Sequence, residues 1–127
     1  MGVSHSIPSW IISLLLWVAR IWALGAAYML SLFFVEHMTW FRNPGHLPPA
    51  WVFIAQAFHL VLIIGLLIGW RWQMMGATLA LIGAAGFFIM SGSNIRVAMV
   101  IGLAAAPAFL WLAHIWLSRL MLRAGHA

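Results

Sequence analysis

Long apolar stretches separated by very short polar breaks decide what this chain can fold into. They cover about 11–40, 50–70, 74–90 and 95–117, and crossing a bilayer core takes roughly 20 apolar residues as a helix. Backbone N–H and C=O groups in hydrocarbon have no water to bond, so each stretch must satisfy its own as a helix. Breaks of a few residues force consecutive helices antiparallel. The expected fold is therefore all-α: an integral membrane four-helix bundle, up-down-up-down, forming a single domain over residues 1–127.

Composition excludes the alternatives. The chain has 127 residues, 66% hydrophobic and 6% charged, with a mean hydropathy of +1.09; soluble chains average about 25% charge. All six basic residues are arginines, giving a formal charge of +5. Scattered among apolar segments, they form no patch for nucleic acid. Cysteine is absent, which removes disulfides, thiolate metal sites and a Cys nucleophile. The start, MGVSHSIPSW, lacks the basic region of a signal peptide, and the apolar stretch after it is too long for one. MGVSHS also matches a myristoylation pattern, but a multi-span protein needs no lipid anchor.

The breaks locate the spans. Arg20 divides the first stretch, so residues 9–19 are expected to lie at the interface or extend a tilted helix, with the crossing from Ile21 to Trp40. NPGHLPP follows, and Pro44, Gly45, Pro48 and Pro49 all resist helix. The second span stops at WRWQ, the third at SGSN, and the fourth leaves through SRLMLRAGHA. Arg20, Arg71, Arg119 and Arg123 fall on one side, and Arg42 and Arg96 on the other. That asymmetry places both termini in the cytoplasm of a bacterial inner membrane. Trp10, Trp17, Trp40, Trp51, Trp70, Trp72 and Trp116 lie near span ends, as an aromatic belt does. Gly65 and Gly69, then Gly76, Ala80 and Ala84, then Ala98, Gly102 and Ala106 form small-residue stripes that let helices approach closely. Pro107 removes a donor inside the fourth span and is expected to bend it.

Chemistry is confined to a few polar residues. Glu36, the only acid in the chain, lies about four residues, or roughly 6 Å, inside the end of span one. Gln56 and His59 enter span two from the same side, three residues apart and so on one helix face. Span three ends there in Ser91, Ser93 and Asn94, and span four begins with Arg96. The topology thus gathers Glu36, His37, Gln56, His59, Asn94 and Arg96 toward one half of the bilayer. Ionisable groups at depth are costly and often functional. One reading is a structural network in which Glu36 pairs with Arg96, Arg42, Gln56 or His59; the other is a ligand or proton site.

A metal site on Glu36, His37 and His59 is disfavoured because adjacent residues diverge by about 100° on a helix, and no H-E-x-x-H spacing occurs. A b-type haem needs histidines at matched depth, whereas His37 and His59 differ in depth and His114 lies near the opposite surface. His5, His46 and His126 read as loop or tail residues. No nucleophile with a base and an orienting partner is present, so an enzyme is not expected.

Ala19-Arg20-Ile21 opening a span, FFVEH at its end and the G-W-R-W at 69–72 resemble a broad group of small four-helix bacterial membrane proteins. More distantly, the architecture is similar to the DoxX-type quinone-linked membrane proteins. These resemblances imply a four-helix fold and carry no residue roles. The functional expectation is a small non-catalytic subunit stabilising a larger membrane complex of respiratory or photosynthetic type, with lipid or pigment contacts and other membrane subunits as partners. A small transporter or proton relay using Glu36 and His59 is the alternative, and a haem- or metal-binding membrane protein a further one.

Overall fold

The computed structural model describes residues 7–43, 45–92 and 94–124, the Phe41 side chain excepted. His5, Pro44, Ser93, His126 and the MGVSHS start lie outside the described residues. Helix α1 runs Ser9–His37 and passes into a 3₁₀ segment, Met38–Arg42; α2 is Ala50–Ile68, α3 Gln73–Met90 and α4 Ile95–Ala124. All four helices are long and apolar enough to cross a membrane. α1 continues through Arg20 without a break, so residues 9–19 prolong the first helix. Likewise α4 is uninterrupted at the buried Pro107.

Helix starts follow local chemistry. Pro8 and Pro49 precede α1 and α2 in extended backbone, because proline fixes φ and cannot continue a helix backwards. Asn94 caps α4: its Oδ1 accepts from the Arg96 N–H at 2.9 Å, satisfying one donor the helix start leaves free. Polar side chains on lipid-facing turns close onto their own helix. Ser31 Oγ donates to the Ala27 carbonyl at 2.7 Å, and Thr78 Oγ1 to that of Met74 at 2.8 Å. Bonding in this way avoids leaving a hydroxyl unpaired in hydrocarbon.

The helices form a ring in chain order. α2 packs on α3, α3 on α4, α4 on α1 and α1 on α2, while α1 and α3 do not touch. The closest pair is α2 with α3, and glycine sets it. A Cβ on Gly65 would fall 2.9 Å from Ala80 Cα. One on Gly76 would overlap the Gly69 backbone, and one on Gly83 the Leu62 backbone. No side chain separates the two helices at these points, which is how apolar helices gain contact without a hydrophobic drive.

Ala19, Ala23, Ala27 and Leu30 of α1 meet Ile101, Ala104, Ala105 and Ala108 of α4 in the same core. The Ala98, Gly102 and Ala106 stripe does not lead that face. Gly102 is exposed with nothing near its Cβ position, and Ala98 and Ala106 are only half-buried. Trp111, wholly buried, fills the centre near the α2–α3 turn, its ring against Gly69. Of the tryptophans read as belt residues, Trp10, Trp17, Trp51, Trp70, Trp72 and Trp116 are exposed and Trp40 is half-buried.

Candidate functional site

Gln56 and His59 are the only buried polar or charged side chains among the described residues. Their i, i+3 spacing puts both on the α2 face that looks into the bundle. His59 lies between two phenylalanines from neighbouring helices: Phe34 of α1, edge-on at 5.6 Å between centroids, and Phe87 of α3, tilted at 5.1 Å. Its Nε2 has no hydrogen-bond partner, although the Leu30 backbone carbonyl lies near the ring, and Gln56 Oε1 has none either. Buried polar atoms are ordinarily paired, because leaving one unpaired costs about 1–3 kcal/mol. Two on one face are therefore a signal.

Both residues line a cavity of about 560 Å³. Phe87 and Ile101 close it from α3 and α4, Trp40 and Trp51 stand toward the α1–α2 loop, and His37, Ser91 and Arg96 bring polar groups. His37 is exposed and its Nδ1 bonds the Phe33 carbonyl at 2.8 Å. A carbonyl only accepts, so Nδ1 carries a proton and Nε2 is the atom left for other contacts. Next to the cavity an apolar groove of about 740 Å³ runs between α1 and α4, lined by Ile21, Trp22, Gly25, Met29 and Leu103 among others. Leu30, Phe33 and Val100 line both spaces, so they adjoin. A mostly apolar chamber that carries a few polar groups, beside an open hydrocarbon groove, has the outline of an amphiphile.

Of the residues gathered by the sequence, Gln56, His59, His37 and Arg96 line this cavity, whereas Glu36 and Asn94 do not. Glu36 is exposed and has no ion-pair or hydrogen-bond partner among the described residues. The pairing with Arg96, Arg42, Gln56 or His59 expected for a structural network is not formed. Rotation explains it: Glu36 stands two residues, about 200° of helix turn, past Phe34, whose ring is turned inward onto His59. Asn94 is spent on the α4 cap. The aromatic walls, Phe87, Trp40 and Trp51, and Phe34 behind His59 were missed because aromatic residues at span ends look the same whether they face lipid or a cavity. Among the described residues no three metal-ligating side chains converge.

Residues 9–123 match the family described as a domain of unknown function (DUF7670). No curated protein and no solved structure matches, so nothing links the chain to the DoxX-type proteins.

Proposed function

The chain belongs to that family of unknown function, and on this premise we propose that it is a non-catalytic membrane protein that holds a lipid-soluble amphiphile. The carrying observation is the pair of unpartnered atoms, Gln56 Oε1 and His59 Nε2, on the wall of the cavity. A hydroxyl on the ligand head can donate to Gln56 Oε1 and accept from a protonated His59 Nε2, satisfying both. The phenylalanines flanking His59 favour a flat or compact head, and the adjoining groove takes a hydrocarbon tail. Glu36 lies outside this chamber, so a relay from Glu36 to His59 gains no support from the geometry.

Purification in a gentle detergent, followed by solvent extraction and mass spectrometry, tests the reading. The wild-type chain is expected to carry one amphiphile that Gln56→Leu and His59→Phe each lose. Identical extracts from all three proteins would sink it.

A second reading, compatible with the first, keeps the chain as an accessory subunit of a larger membrane complex. Its support is the open space at Gly102 of α4, outside the groove, where nothing lies within 4 Å of a Cβ. A neighbouring helix can approach such positions closely. Co-migrating subunits after gentle purification would support it, and a chain that migrates alone from its native membrane would count against it.

A further inference from the structure

At the end of the bundle opposite the cavity, a guanidinium lies against a pair of indoles. Arg20 of α1 places its Cζ 5.3 Å from the Trp17 ring centroid and 5.4 Å from that of Trp70, in the α2–α3 turn. The two rings meet edge-to-face at 6.1 Å. Arg20 is half-buried, and its Nε is buried with no hydrogen-bond partner. Beside it stands a polar pair from the remaining helices. His114 Nδ1 of α4 and Gln73 Oε1 of α3 are 2.8 Å apart, and the Arg20 charge reaches His114. Arg20 thus ties α1 to the α2–α3 turn, within electrostatic range of α4.

No counter-charge belongs to it. The only acid in the chain is Glu36, sixteen residues further along α1 and so roughly 24 Å away at 1.5 Å per residue. An arginine stays charged, and a charge partly withdrawn from water without an anion is costly. Indole faces attract a guanidinium through their quadrupole, but they accept no N–H bonds in its plane. Its in-plane donors form a fork that fits a carboxylate or phosphate bidentately. Among the described residues no side chain supplies that anion.

We propose that Arg20, seated against the Trp17 and Trp70 rings, binds a phosphate-type anion, supplied by the headgroup of an anionic phospholipid. The α2–α3 turn marks where the shortest helices end, which is where headgroup phosphates lie beside a bundle of this height. The site is independent of the cavity lined by Gln56 and His59, at the other end of α2.

The test uses the full chain in nanodiscs of phosphatidylcholine with a minor fraction of phosphatidylglycerol, released and weighed by native mass spectrometry. Wild-type protein is expected to retain phosphatidylglycerol in preference to phosphatidylcholine. Arg20→Gln is expected to lose that retention at least tenfold, and Trp70→Leu to weaken it severalfold. Arg20→Lys decides between a site and mere attraction. It keeps the charge, and with it the fold, but loses the planar fork, so retention should fall nearly as far as in Arg20→Gln. Arg71→Gln, at an exposed neighbour in the turn, should bind as wild type. Millimolar inorganic phosphate that competes as well as the lipid would assign the site to free anion. Equal retention by wild type and Arg20→Lys, or by wild type and Arg20→Gln, overturns the proposal.

Discussion

Adding one methyl group at either of two glycines should move stability in opposite directions. Gly65→Ala places a Cβ 2.9 Å from both Ala80 Cα and the Leu79 carbonyl carbon, where ordinary contact begins near 3.4 Å. The obstacle is α3 backbone, which no rotamer change can remove. α3 must shift by roughly half an ångström or more, and the shift opens the contacts at Gly76 and Gly83 in the same seam. Overpacking of this kind costs about 1–3 kcal/mol, against a helix-propensity gain of about 1 kcal/mol for alanine over glycine. A net loss of up to ~2 kcal/mol is expected. Gly102→Ala meets nothing within 4 Å, so only the gain remains, and the two variants should differ by the overpacking cost, ~1–3 kcal/mol. Reversible unfolding in bicelles, by steric trapping or denaturing detergent, reads that difference directly. Equal stabilities, or a Gly65→Ala more stable than wild type, would refute glycine-set packing between α2 and α3.

Glu36→Gln should leave the melting temperature unchanged, since no partner loses its charge; a marked drop by circular dichroism would mean the carboxylate is paired. His59→Phe and Gln56→Leu each remove an unpaired buried polar atom whose burial costs about 1–3 kcal/mol. Both variants should therefore match or exceed the thermal stability of ligand-free wild type, and a large loss in either would place these atoms in a structural network instead. A reporter fused after the C-terminus should be active only in the cytoplasm, as the arginine asymmetry requires; activity only on the other side would reverse the orientation.

The elements were legible and their facing was not. Proline and glycine in NPGHLPP, and the WRWQ and SGSN breaks, mark the ends of spans whatever the helices pack against. Gln56 and His59 could be placed on one face because they are two polar residues at a helical spacing. Glu36 could not, being a single acid in a helix apolar on every side, with no polar stripe to give the rotation. The same lack of phase misdirected the Ala98, Gly102 and Ala106 stripe: small residues recur on several faces of α4, and only packing against α1 selects Ala104, Ala105 and Ala108. The Arg20 contact joins α1 to the α2–α3 turn, a pairing that exists only once the helices have closed.

Unequal helix lengths carry a consequence for where the membrane surface lies. α2 and α3, with 19 and 18 residues, reach roughly 27–29 Å, close to the hydrocarbon thickness of an ordinary bilayer. α1 and α4, with 29 and 30 residues, reach roughly 44 Å. The surplus lies at one end, beyond the level where Trp17 meets Trp70 and Gln73 meets His114. There Trp10, Leu14, Trp116 and Leu122 remain exposed. Arg119 and Arg123 stand in the α4 surplus beside those apolar side chains, and arginines belong at headgroup level rather than in hydrocarbon. The surplus of α1 and α4 therefore rises into the headgroup layer on one side, above the level at which the α2–α3 turn marks the edge of the hydrocarbon.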